Sequence, residues 1–295
     1  MTPFGRSVAI PDGSLDLHAT LRSGQVFRWS VLDHARLEIW DGPYQYLVEG
    51  VHLDASPGEA PDHELTVSSD APDGTFESFL RLDWDATHVA SELVKRGPEL
   101  EPYMSAMRGI RLLRPSNPVE ILFAFLCTPN NNLARIKGMV EGLATFGENG
   151  FPTVAEVASI PPNALWELKF GYRARTIPSV ATELLARGGD AYVHGLKSKP
   201  YETAIEELIS IKHIGRKLAD CIALFALDQT CAVPVDTHIW QAATRLYFPQ
   251  WQDGSLTEAK YRAVGDHMRD RFGLLAGWAQ QALFFENVLN WRTRK

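Results

Sequence analysis

Cysteine is scarce in this chain, with only Cys127, Cys221 and Cys231 among 295 residues. Three thiols do not make the disulfide framework of a small extracellular domain, and they fall short of the four thiolates that hold an iron–sulfur cluster. Long hydrophobic runs are missing too. The longest near the middle, 121–127 (ILFAFLC), is far below the roughly 20 residues that a membrane-spanning helix needs. The opening stretch MTPFGRSVAIPDGSLD has no apolar secretory core. We therefore expect a soluble, intracellular protein without membrane contact. Repeats and low-complexity tracts are also lacking.

Basic charge is in deficit, and where the deficit falls matters. The net charge is −7, which argues against a nucleic-acid partner until it is divided along the chain. Residues 1–100 carry 7 Lys+Arg against 17 Asp+Glu, or −10, leaving 22 against 19, or +3, for residues 101–295. The acidity belongs to the first third, and the remainder can still offer a local positive groove to phosphates. Non-specific affinity for DNA should be lower than for a basic protein of the same size, because that affinity comes from phosphate neutralisation.

What is present falls into two patterns. From about Leu15 to Val67 the chain alternates polar and apolar residues between turn signals, and QVFRWSVLD, RLEIW and YQYLVEG read as short strands of an antiparallel meander. The segment 55–74 is rich in Pro, Asp, Gly and Ser, and reads as surface loops around one further strand. From Thr75 the period is helical almost to the end. The expected fold class is α+β, with a β-rich domain over 1–110 followed by an all-helical domain over 111–295.

Within the helical part, YETAIEELIS (201–210) and RKLADCIALFAL (216–227) are helical in pattern, and the tight connection Ile211–Gly215 joins them into a helix-hairpin-helix. Hairpin amides and a positive helix N-terminus suit a phosphate, with Lys212 and Arg216 adding charge. Lys217 and Cys221, at i and i+4, share one face of the second helix. Asp236 follows Val233-Pro234-Val235 and precedes an apolar periodic run, so it is the expected N-cap of the next helix. An amine and a carboxylate at neighbouring helix starts can form an imine at a sugar carbon. A lysine at a helix start is ordinarily just solvated, and an aspartate there just a cap; the two gain meaning from occurring together beside a hairpin.

These residues carry a resemblance. The run GRKLADCIALFALDQTCAVPVDTHIW is similar to the helix-hairpin-helix, Gly/Pro-rich loop and aspartate of the base-excision DNA glycosylases, in detail the 8-oxoguanine DNA glycosylase/lyases. SGQVFRW (23–29), FAFLCTPNNNLARIKGMVEGL (123–143), FGYRARTI (170–177) and AGWAQQALF (276–284) match the same family in order and spacing. The resemblance implies a TBP-like N-terminal domain and a bifunctional enzyme that removes 8-oxoguanine opposite cytosine and then nicks the strand by β-elimination. It implies Lys217 as nucleophile and Asp236 as the charge beside the sugar. The base pocket would consist of Gly24, whose carbonyl accepts from N7–H, of Cys221 and Phe284 as walls, of Gln280 on the Watson–Crick edge, and of Pro234. Asn130 would fill the space of the extruded base with Asn131 and Asn132 beside it, Arg135 and Arg173 would read the orphaned cytosine, Tyr172 would be a wedge, and His238 and Gly215 would approach phosphates. The implied partner is duplex DNA containing 8-oxoguanine, met by a monomer without cofactor or metal; the implied location is the nucleus, although no basic import tract is visible.

Taken singly, several of these residues have plainer readings. Phe284 alone would be a core phenylalanine, Gly24 a turn glycine and His238 a structural histidine. Three positions depart from the family: His213 stands for a usual glycine, Lys212 for a proline, and Asn287 for an aspartate that would steady His238. A positive φ at His213 would strain the hairpin, though histidine tolerates it better than most residues. A lysine nucleophile must also be neutral for part of the time, which leads us to expect burial or a nearby cation lowering the Lys217 pKa. Two other readings stay open: a glycosylase for alkylated purines or another lesion, and a DNA-binding module with no chemistry.

Overall fold

The computed structural model describes residues 5–11, 15–53, 62–148 and 150–293, with backbone alone for Ala106 and residues 286–293. Five strands, β1 (Arg6–Ala9), β2 (Trp29–Asp33), β3 (Arg36–Asp41), β4 (Tyr44–Glu49) and β5 (Glu64–Ser68), form one antiparallel sheet in the order β1-β5-β4-β3-β2. The meander read from the sequence is β2-β3-β4, and β5 is the further strand inside the loop-rich segment, whose residues 55–61 lie outside those described. Period-two alternation explains the sheet's packing. Leu37 and Ile39 pair across strands with Val48 and Tyr46, and Val48 pairs with Val67; all five side chains are buried. Phe76 and Phe79, on a short helix Thr75–Phe79, cover that face, with the Phe76 ring 4.9 Å from Tyr46.

Two local expectations need correction. β2 begins only at Trp29, so QVF is irregular chain rather than strand. The alternating residues after Leu15 include a helix, Leu17–Arg22, capped by the Asp16 carboxylate on the Ala19 amide at 2.8 Å. β1 was not anticipated at all: four residues, of which only Val8 is buried, carry too little pattern.

The chain between the sheet and the helices is pinned by side chains of the SGQVFRW segment. Gln25 Nε2 donates to the Arg111 carbonyl and its Oε1 accepts from the Leu113 amide, both at 2.8 Å, so one buried amide ties two backbone groups of a distant segment. Leaving such groups unpaired costs about 1–3 kcal/mol each. Arg28 donates to buried Glu120 at 3.0 Å, Gly42 donates its amide to the same carboxylate, and Lys137 caps the Trp29 carbonyl. The chain just after Gly24 is thus anchored, through Gln25, Arg28 and Trp29, on partners within residues 111–137.

Behind this bridge lies helix Pro118–Leu126, all nine of whose residues are buried. It packs on the second hairpin helix through Phe125 and Phe225, stacked at 5.2 Å. No helix among the described residues is long and apolar enough to cross a membrane.

Candidate active site and DNA interface

The hairpin is built as its sequence suggests. Tyr201–Ile209 and Arg216–Phe225 are helices, and the Ile214 amide donates to the Ile211 carbonyl at 3.1 Å to close the turn. His213 has φ of 73°, so the non-glycine residue does sit in the left-handed region. Gly215 has ordinary backbone angles, and a Cβ built on it would meet nothing within 4 Å. No internal contact demands glycine there, and the open space permits close approach of another backbone. Lys212 and His213 are exposed on the same turn. Arg216 is not available beside them, contrary to expectation. Its Nε donates to Asp220 at 3.1 Å and its Nη2 to the Tyr201 hydroxyl at 3.1 Å, which turns the guanidinium inward. The i,i+4 spacing of Arg216 and Asp220 was the sequence signal for this pair.

The first turn of the second hairpin helix and the cap of the next one meet at a cavity of about 570 Å³. Lys217, Cys221, Pro234, Asp236 and His238 line it from one side, and Gly24, Asn131, Asn132, Gln280 and Phe284 complete the set of expected residues found there. Asp236 is the N-cap foreseen, accepting from the Ile239 amide at 2.9 Å. Asn132 caps helix Leu133–Ala144 by accepting from the Arg135 amide at 3.0 Å, and Asn131 donates to the Cys127 carbonyl at 3.0 Å. Gly24, with φ of 83°, turns the chain at the cavity wall. The Phe284 ring meets the His238 ring edge-on, 5.9 Å between centroids. The side chain of Asn287 lies outside those described.

The electrostatics correct one expectation. The Lys217 ammonium is held above the ordinary lysine value, first by the Cys221 sulfur, which also accepts its hydrogen bond, and then by the Asp236 carboxylate; burial pulls the other way and loses. Burial pushes the Cys221 thiol up in turn, despite the lysine beside it. A thiol so raised is mostly neutral near pH 7, so the negative charge acting on Lys217 there is that of Asp236. Lys217 rests as a cation, its side chain open to the cavity.

The remaining expected residues stand outside the cavity, Asn130 and Tyr172 on loops and Arg135 and Arg173 in the first turns of the helices that follow, Leu133–Ala144 and Arg173–Ala186. Asn130 is exposed with φ of 52°. Tyr172 is 54% exposed, and its hydroxyl donates to the Pro129 carbonyl at 3.3 Å. Arg173, by contrast, is buried, with Nη2 donating to that same carbonyl and the guanidinium 4.5 Å from the Tyr172 ring centroid. Arg135 is exposed and anchored by Nη2 to the Lys169 carbonyl at 3.1 Å; φ of 62° at Lys169 belongs to that same loop. The sequence reading also missed Gln281. It lines the cavity, and its Nε2 donates to Gln280 Oε1 at 2.7 Å while Gln280 Nε2 donates to the Pro234 carbonyl at 3.3 Å, which fixes the Gln280 amide. The doubled glutamine in AGWAQQALF was its only signal.

Comparison with known proteins fits this geometry. The sequence profile described as 8-oxoguanine DNA glycosylase, N-terminal domain, matches residues 7–122, and that of the HhH-GPD superfamily of base excision DNA repair proteins matches residues 123–265. The chain is 30% identical to the N-glycosylase/DNA lyase OGG1 of Arabidopsis thaliana, over 97% of this chain and 81% of that protein. It is 29% identical to the N-glycosylase/DNA lyase of Saccharomyces cerevisiae, over 97% and 86%. Its fold is similar to that of the 8-oxoguanine glycosylase/lyase of Clostridium acetobutylicum solved with DNA, with a TM-score of 0.80 at 23% identity over 98% of this chain and 96% of that one. A 3-methyladenine DNA glycosylase of Archaeoglobus fulgidus shares the fold as well, with a TM-score of 0.66 at 17% identity over 97% and 99%, so the fold by itself does not choose the lesion. The matches in sequence do choose: the chain belongs to the 8-oxoguanine DNA glycosylase family of the HhH-GPD superfamily.

Proposed function

We propose that this protein removes 8-oxoguanine from duplex DNA where it lies opposite cytosine and then cleaves the abasic strand by β-elimination. The observation that carries the reading is the meeting of Lys217 and Asp236 in one cavity walled by Phe284 and Cys221. A base extruded from the stack needs an apolar slot and edge hydrogen bonds, which the Phe284 ring and the fixed Gln280 amide offer. Lys217 attacks C1′ of the deoxyribose as the bond to N9 breaks, with the electron pair leaving on the base. Asp236 holds negative charge beside the sugar as positive charge grows there. The C1′–O4′ bond then opens, with O4′ taking up a proton, so that the C1′–N bond becomes an imine; a proton leaves C2′, and the 3′ phosphate departs with the electron pair of the C3′–O bond. Because Lys217 rests as an ammonium, it reacts only after giving up a proton, and imine formation should rise toward alkaline pH.

Opposite-base selectivity rests on Arg135, the exposed guanidinium at the edge of the interface, with Arg173 as a second reader once it leaves Pro129. The protein acts as a monomer in this reading. Borohydride trapping on an 8-oxoguanine·cytosine duplex tests it directly: wild-type protein should give a covalent complex, and Lys217→Gln should give none while still binding duplex. Trapping at wild-type yield in Lys217→Gln sinks the assignment. Release of an alkylated purine in preference to 8-oxoguanine supports the alkylpurine reading instead, and binding without incision supports a module with no chemistry.

A further inference from the structure

Three helices, Tyr201–Ile209, Arg216–Phe225 and Glu258–Phe272, converge on the fully buried carboxylate of Asp220, one residue before Cys221. Its Oδ1 accepts from the Tyr201 hydroxyl at 2.5 Å, and its Oδ2 accepts from the Tyr261 hydroxyl at 2.8 Å and from Arg216 Nε. Arg269 Nη1 donates to the Tyr201 oxygen at 2.9 Å, so the charge of Asp220 is matched by two guanidinium groups, one directly and one through a phenol. Buried carboxylates persist where their lone pairs are filled in this way.

One bond of this network leads to the candidate catalytic pair. The Tyr261 hydroxyl, having given its proton to Asp220, accepts from the Val235 amide at 3.2 Å. Val235 is the residue before Asp236, and Asp220 lies three residues after Lys217 on the same helix. The path from one helix to the next is therefore carboxylate, phenol, peptide N–H and then the cap. A phenol has one proton to give; given to Asp220, it leaves the oxygen to accept from Val235, and the donor and acceptor roles admit no other arrangement. We propose that Tyr261 is a positioning residue for the reaction: through its two hydrogen bonds it fixes the helix that presents Lys217 against the peptide that presents Asp236.

The inference rests on the glycosylase reading above and deepens it. Tyr261 touches neither sugar nor base; its effect passes through the distance between amine and carboxylate. Displacements of about 1 Å in such a pair cost on the order of a hundredfold in rate. Tyr261→Phe removes one oxygen and keeps the ring. We expect single-turnover excision of 8-oxoguanine to fall about tenfold to a hundredfold, while the Kd for a duplex carrying a tetrahydrofuran abasic analogue changes less than about twofold. Asp220→Asn, which sets an amide N–H against those donors, should lower the rate in the same way. Because both act on one strut, the double variant should be no slower than the slower single. The thermal midpoint of each variant, measured beside its rate, controls for a general loss of stability. Wild-type excision by Tyr261→Phe, a loss of affinity equal to its loss of rate, or additive effects in the double variant overturns the inference. An inactive wild-type protein overturns the glycosylase reading beneath it.

Discussion

Asp236 combines a helix cap with a charge, and one substitution separates the two. Asparagine caps as well as aspartate, so Asp236→Asn keeps the bond to the Ile239 amide, whose loss otherwise costs about 1 kcal/mol. Excision should fall at least about a hundredfold, as it does when charge aimed at a transition state is removed, with a thermal midpoint within a degree or two. A large midpoint drop with near-normal excision would identify Asp236 as a cap and nothing more. Arg135 invites a different measurement. One bidentate contact separates a right base from a wrong one by about 1–3 kcal/mol, so Arg135→Ala should reduce the single-turnover preference for cytosine over adenine opposite the lesion by about tenfold or more. Equal rates on the two duplexes in unmodified protein would mean that only the damaged base is inspected. At this scale the sequence revealed those residues whose partners are close along the chain. Lys217 with Cys221, and Gln280 with Phe284, are i,i+4 pairs and were visible as such. Arg173 buried on Pro129 and the Tyr261 strut depend on partners tens of residues away, which no spacing rule reaches. The upward pull on the Lys217 pKa was missed because it depends on how closely the Cys221 sulfur and then the Asp236 carboxylate come to lie against the amine, which spacing does not give.

Among the elements, the hairpin shows where a local rule is broken. His213 holds φ of 73°, a region that costs a side-chain-bearing residue about 1 kcal/mol and glycine almost nothing. His213→Gly should raise the thermal midpoint by about 2 °C, less whatever glycine loses in unfolded-state entropy; a lower midpoint in that variant would show that the imidazole makes a contact worth more than the strain. Longer helices and their caps were legible because each carries its own period and stop signal, as at Asn132 and Asp236. The helix Leu17–Arg22 was not, since six residues give fewer than two turns and their alternation also fits a strand. β1 takes its stability from pairing with β5, a partner more than fifty residues later.

For the whole molecule, the join between sheet and helices carries a pH dependence. Glu120 is buried beside Arg28, and burial lifts its carboxyl to about 7, with the nearby Asp41 lifted to about 6 for the same reason. A raised carboxyl keeps its proton in the folded state when the unfolded chain has already lost it. Its contribution to stability is therefore whole below about pH 4.5 and shrinks as pH climbs toward 7. Glu120→Gln should remove that dependence, so the midpoint of the variant relative to wild type should be higher at pH 8 than at pH 5. A gap that stays constant between those values would show that Arg28 keeps Glu120 ionised throughout.

The single carbonyl of Pro129 has a further consequence for how such a protein searches. Tyr172 and Arg173 both spend a hydrogen bond on that oxygen, and the buried Arg173 cannot turn toward DNA without letting go. The loop bearing Asn130 is thereby tied to the segment bearing Tyr172 and Arg173, and in the function proposed above the two would release together. Undamaged pairs, met by the million on a chromosome, would have to break the latch each time they were tested closely. Most encounters would end before it opens, so the protein would slide past ordinary sequence with Arg173 withdrawn.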